Sequence, residues 1–285
     1  MDLLHDSSTV LTPQEYLSQC GRLFERFDRR TQDSGNVSWG IDIGNSRYFV
    51  KSPGAPDSEA FLGWEDRVYW LRNAEKLART FHHPLLPLLY NRVESPHGPL
   101  LIYEWVPGEL VGVPGEQRSS PGSSSRRFIS LPLPRLIAAL DQVFHFHVEL
   151  CNAGWVANDF YDGSMIYDFA THRLGLIDLD LYREAPFANN MGRMFGSSRF
   201  MAPEEFRAGA HIDERTTIFN MGRCIQVFVG EREHCDPLLQ VADRACRTSP
   251  AERTSSMAAF YEDWQSAVSQ VRVTTKQRSD KLPKA

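Results

Sequence analysis

The chain has 285 residues, length enough for about two domains or lobes, and its 42% hydrophobic content suits a sequence that buries a sizeable core. With 31 basic against 36 acidic residues the formal net charge is −5, so a nucleic-acid partner has no electrostatic support. Five scattered cysteines (Cys20, Cys151, Cys224, Cys235, Cys246) without a C-x-x-C spacing argue against a disulfide framework and a zinc site. Met1 to Asp6 lack a basic stretch leading into an apolar one, and no run approaches the roughly 18 apolar residues of a membrane span. A cytoplasmic protein without a membrane partner is expected.

In chain order, residues 1–11 are polar and expected to be loose. Thr12-Pro13-Gln14-Glu15 then supplies an N-cap, a proline at the first helical position and a capping-box acid, predicting a short helix to about Gln19. Three strand-like runs follow: Arg22 to Phe27, Val37 to Ile43 and Tyr48 to Lys51. The turn clusters Asp33-Ser34-Gly35-Asn36 and Gly44-Asn45-Ser46 separate them, which predicts an antiparallel meander. Helix-period apolar positions from Phe61 to Phe81 predict one long helix, stopped at His82-His83-Pro84. Two further strand-like runs, Leu85 to Tyr90 and Leu100 to Trp105, complete a five-stranded sheet with one helix. Val106-Pro107-Gly108-Glu109 reads as a hinge, and residues 114–126, rich in Ser, Gly and Pro, as a flexible insertion. Helices are predicted at Leu133 to Ala153, Ala202 to Ala208, Thr216 to Val229, Asp236 to Arg247 and Ser255 to Val271, followed by a charged, disordered tail over 273–285.

The chemistry-bearing motifs lie in the second half. Leu176-Ile177-Asp178 reads as a buried strand delivering a carboxylate, and 19 positions earlier stands Asp159, within Gly154 to Ser164. Downstream, Gly196-Ser197-Ser198-Arg199-Phe200-Met201-Ala202-Pro203-Glu204 reproduces the form Gly-Thr-x-x-Tyr-Met-Ala-Pro-Glu. Two acids at this spacing, followed by such an element, are the arrangement kinases use for a base and a metal ligand. On these motifs the chain resembles the protein-kinase-like superfamily, and most closely a group of bacterial serine/threonine kinase-like proteins with a divergent catalytic loop. The resemblance spans about residues 20–270.

That resemblance implies a two-lobed α+β fold, with an N-lobe over 12–105 and a C-lobe over 106–272. It implies ATP with Mg²⁺ or Mn²⁺ as cofactors. Lys51 would sit on the phosphates, held by Glu75 with Glu65 in reserve, while Gly35 and Asn36 stand where the glycine-rich loop would be. Glu104, Trp105 and Val106 would form the adenine hinge. Asp178 and Ser164 would hold metal, Asp159 would act as base, and Ser197 would take the place of the threonine that bridges to it. Arg253, in Ser249-Pro250-Ala251-Glu252-Arg253, would pair with Glu204. Ala157-Asn158 replaces the usual His-Arg, Tyr161 a lysine, Ser164 an asparagine and Thr217 an aspartate.

The activity implied is phosphorylation of a Ser/Thr hydroxyl on a protein. Two alternatives stay open. One is a pseudokinase that scaffolds partners in response to nucleotide. The other is an aminoglycoside-kinase-like phosphotransferase acting on a small hydroxyl-bearing substrate, favoured by Asp180 and Gly163.

Overall fold

Alternating aromatic and β-branched residues between turn-forming clusters build an antiparallel sheet near the N-terminus, as the sequence predicts. The computed structural model describes residues 1–29, 34–58, 60–230 and 232–279. These form a mixed α+β structure, with seven α-helices and a five-stranded antiparallel sheet among the described residues. The chain divides into two units, Met1–Pro107 and Gly108–Ala285.

In the first unit α1 (Pro13–Cys20) begins with the expected capping box: Thr12 Oγ1 accepts from the Glu15 N–H, and the Glu15 carboxylate accepts from the Thr12 N–H at 3.0 Å. The sheet comprises β1 (Arg22–Phe27), β2 (Val37–Ile43) and β3 (Ser46–Ser52), then, after α2 (Trp64–Thr80), β4 (Leu89–Ser95) and β5 (Gly98–Glu104). Its order is β1-β2-β3-β5-β4. One face buries Trp39, Ile41, Val50, Val93, Leu100 and Ile102 against Leu3 and against Tyr16 and Leu17 of α1. On the other face Leu101 packs with Leu71 and Ala74 of α2. Full burial of each such side chain stabilises by about 1.5–3 kcal/mol. Cross-strand partners share a face, so the register Ser38↔Lys51↔Leu101 sets Lys51 on the α2 side.

Several expectations need correction. Residues 1–11 are anchored, not loose: Leu3 is buried, Asn91 Nδ2 donates to the Leu3 and Asp6 carbonyls, and Ser8 bridges to Glu94 of β4. Open backbone groups at a sheet edge recruit them. The fourth strand starts at Leu89, because Pro84 and Pro87 interrupt the ladder before it. Residues 114–126 hold a 3₁₀ turn at Gly115–Gln117 and the start of a helix in which Ser124 and Ser125 are buried. Instead of a helix over 202–208 there is one 3₁₀ turn, Pro203–Phe206. The tail expected to be disordered from 273 is helical through Ser279, and its remainder, 280–285, lies outside the described residues.

In the second unit β6 (Glu109–Leu110) leads to α3 (Ser124–Ile129), held by Ser124 Oγ donating to the Leu110 carbonyl and by Arg127 paired with Glu109 at 2.7 Å. Then come α4 (Leu133–Asn152), β7 (Trp155–Val156), β8 (Met165–Tyr167), β9 (Leu174–Leu176), β10 (Arg183–Glu184), β11 (Phe187–Ala188), β12 (His211–Ile212), α5 (Glu214–Val229), α6 (Asp236–Ala245) and α7 (Met257–Ser279). The short strands pair as β6-β8-β9, β7-β10 and β11-β12. α5 is buried along most of its length, and α4, α6 and α7 pack around it. Among the described residues no helix is long and apolar enough to cross a membrane.

Candidate functional site

The candidate residues fall in both units. In the first, Lys51 is the penultimate residue of β3 and is buried, 7% exposed. Beside it on the α2 face lies Ser38, and two positions before Ser38 stands Asn36. Asn36 Oδ1 and Ser38 Oγ are buried and have no hydrogen-bond partner among the described residues. Buried oxygens in that condition cost about 1–3 kcal/mol each. Gly35 has φ +86°, a conformation that favours glycine, and a Cβ there would collide with Ala60.

Glu75, expected to hold Lys51, instead accepts from Arg79 Nε at 2.8 Å and from Arg92 Nη1 at 3.2 Å. The register Lys51↔Leu101↔Arg92 explains the arrangement: Arg92 shares the face of Lys51 two strands away, where Glu75 meets it. Glu65, the reserve, is exposed in the first turn of α2. Glu104 closes the sheet by backbone, its N–H donating to the Leu88 carbonyl at 2.8 Å. Val106 is half-buried.

Trp105 packs against Phe24 (ring centroids 4.9 Å apart, edge-on) and lies 6.4 Å from Phe49. Leu23 stands opposite Ile41, so strand alternation puts Phe24 on this other face, and the bulge between Leu23 and Glu25 leaves it without a cross-strand partner. Gly40 leaves it room: a Cβ there would stand 2.5 Å from the Phe24 ring.

In the second unit, Asp159 follows β7 and Asp178 follows β9. Both have left-handed backbones, φ +65° and +58°, and among the described residues only His172 and His234 are other non-glycine cases. Such backbones cost about 1–3 kcal/mol each and concentrate at functional sites. Asp178 is exposed at its strand end. The Ile177 N–H, one residue before Asp178, donates to the Ser164 carbonyl at 2.9 Å. Ser164 Oγ and the Asn158 side-chain oxygen are buried without a hydrogen-bond partner among the described residues. Hard oxygens from a carboxylate and a hydroxyl fit Mg²⁺ or Mn²⁺.

The loop carrying Asp159 is fixed from below, where Thr217 Oγ1 of α5 accepts from the Ala157 N–H at 3.0 Å. From the other side comes the segment of Ser197: a Cβ on Gly196 would lie 3.3 Å from Asp159 Oδ1. Asp162, 1% exposed, binds Arg199 Nη1 at 2.5 Å, and Arg199's carbonyl accepts from Arg223 Nε at 2.7 Å. The base of the segment is Glu204, gripped by Arg253 through Nη1 to Oε1 (2.6 Å) and Nη2 to Oε2 (2.8 Å). Burial would raise the Glu204 carboxyl, but hydrogen bonds and charge from Arg253 outweigh it and hold the group below its ordinary value. Next to it burial pushes Glu205 up to about 7, against hydrogen bonds from the Ala202 N–H and Asn220 Nδ2.

Sequence reasoning missed Phe24, Asp162, Arg199 and Glu205, as well as Arg67 on α2. Only Arg67 left a trace: it lies on the stripe of Leu71 and Ala74, where an apolar residue belongs. All five cysteines are free, and burial pushes Cys151 and Cys246 up to about 12, consistent with inert thiols. No family model matches this chain, and no curated protein matches it.

Proposed function

We propose that the chain is an ATP-dependent phosphotransferase of two-lobed, protein-kinase-like fold, acting on a serine or threonine hydroxyl. The observation that carries this reading is the second unit's pair of left-handed aspartates, each at the end of a short strand, with the segment ending in Glu204 folded back on one of them. Lys51 supplies a cation for the phosphates from an end of the sheet where Asn36 and Ser38 carry spare buried oxygens. Asp178 and Ser164 would hold Mg²⁺ or Mn²⁺, which when bound neutralises charge on the transferring phosphoryl group. Asp159 would accept the acceptor hydroxyl's proton as that hydroxyl's oxygen bonds to the γ-phosphorus and the bond from that phosphorus to the departing ADP oxygen breaks, and the Thr217 contact keeps the Asp159 loop from drifting.

A second reading, a nucleotide-responsive scaffold without turnover, is favoured by Phe24. Its ring and that of Trp105 cover the Lys51 face beside the expected adenine hinge.

The test is nucleotide binding and phosphate transfer by the purified full chain with Mg²⁺ or Mn²⁺. Asp159→Asn should keep ATP binding and lose transfer by roughly 10²-fold or more. Asp178→Asn should also weaken metal-dependent binding, and Lys51→Met should abolish binding. Binding without transfer to protein, to itself or to small alcohols would establish the scaffold. Failure to bind under any metal condition would defeat both readings.

A further inference from the structure

Arg67 lies in the first turns of α2 with 1% of its surface exposed, and its guanidinium points into the end of the sheet that carries Gly35 and Lys51. Its Nη1 donates to the Gly35 carbonyl at 2.6 Å and to the Pro53 carbonyl. Its Nη2 donates to the Ala55 carbonyl at 3.3 Å and to Ser58 Oγ at 3.0 Å. One side chain thus gathers four oxygens from two separate loops, the turn before β2 and the linker after β3.

The two loops are shaped for it. Gly35 and Gly54 have φ +86° and +72°, and a Cβ on Gly54 would come within 2.7 Å of the Gly35 carbonyl and 3.0 Å of Arg67 Nη1. Glycine at both positions lets the loops close to hydrogen-bond range of one guanidinium. The planar fork of arginine suits several carbonyls at fixed angles, whereas a lysine ammonium is a single point with three donors.

We propose that Arg67 is a positioning residue that clasps the Gly35 turn and the 53–58 linker to α2, so that this end of the sheet follows α2 wherever the helix moves. Asn36, Ser38 and Lys51 stand on that end, and the consequence for nucleotide rests on the phosphotransferase reading above. A shift or rotation of α2 would carry the Gly35 turn with it or break the clasp. Nucleotide affinity then becomes a readout of α2 position.

The test is amide hydrogen exchange on the full chain, with binding of Mg·ATP measured in parallel. In Arg67→Gln the amides of 34–37 and of Gly54, Ala55, Asp57 and Ser58 should exchange at least tenfold faster, while those of Val50 and Ile102 in the sheet centre stay unchanged. Arg67→Lys should fall between that variant and the wild type, and it carries the test if Arg67→Gln does not fold. Mg·ATP affinity should drop in the same order, by tenfold or more for Arg67→Gln. Unchanged exchange in both loops, or exchange raised equally across the whole sheet, would overturn the clasp. Loosened loops with unchanged affinity would overturn the positioning role. A wild type that binds no nucleotide sinks the phosphotransferase reading instead, and the exchange pattern then decides the clasp alone.

Discussion

Removing either partner of the Arg253–Glu204 pair should be among the most damaging single changes in the second unit. The two side chains are 0% and 2% exposed, and both oxygens of Glu204 are used. Arg253 also donates to the carbonyls of Arg215 (2.8 Å) and Arg247 (2.8 Å), and Glu204 accepts from Thr216 Oγ1 at 2.8 Å. Glu204→Ala leaves a buried guanidinium without its counter-charge, and Arg253→Ala leaves a buried carboxylate and two carbonyls short of donors. Either should cost about 3–5 kcal/mol, the range for breaking a buried pair. In a unit of this size that corresponds to a fall in Tm of roughly 6–20 °C. The double mutant should be less harmful than the sum of the singles, with a coupling energy of about 2 kcal/mol or more. Urea unfolding of the wild type and three variants measures all four corners of the cycle. Single losses below about 1 kcal/mol, or additivity within about 0.5 kcal/mol, would refute the assignment of a tight, desolvated pair.

Glu205 gives a pH signature of opposite sign. Its folded value of about 7 exceeds the ordinary 4.5, so its contribution is fully present below 4.5 and is lost as pH rises through 7. That rise corresponds to about 3 kcal/mol, and Glu205→Gln should flatten Tm measured between pH 5 and 8. Glu204, held low, acts in a separate window: its contribution is lost only as pH falls below its ordinary 4.5. Thr217→Val keeps the shape of a wholly buried side chain but strands the Ala157 N–H, so a loss of about 1–3 kcal/mol in urea unfolding is expected. If the phosphotransferase reading holds and the base lies on the Trp105 face, Phe24→Ala removes a ring that the base would displace, and an aromatic contact of about 0.5–1.5 kcal/mol then predicts roughly 2- to 12-fold tighter ATP binding by calorimetry. Weaker binding would mean that the ring supports the base.

The sequence by itself determined the local elements whose signals are local. The capping box at Thr12 and Glu15 fixed the start of α1, and the Gly44 to Ser46 cluster fixed the turn between β2 and β3, because turn and cap chemistry acts within a few residues; Asp33 of the other expected turn cluster lies outside the described residues. The pairing of Glu204 with Arg253 across 49 positions was expected only through the resemblance of Ser249 to Arg253 to a known element, not from any local signal. Only the tertiary structure decided contacts that no local pattern encodes. Glu75 went to Arg92 because register, a property of the whole sheet, put that arginine under α2. Phe24 met Trp105 because the pairing of β1 with β2 set its ring over Gly40, which leaves room for it, and strand propensity does not forecast that pairing. The N-terminal residues were ordered by an open sheet edge lying more than 80 positions downstream, as the Asn91 bonds to Leu3 and Asp6 record. Arg67 broke the apolar stripe of its helix, and what that break was for became visible only when folding brought the Gly35 and Pro53 carbonyls to its guanidinium.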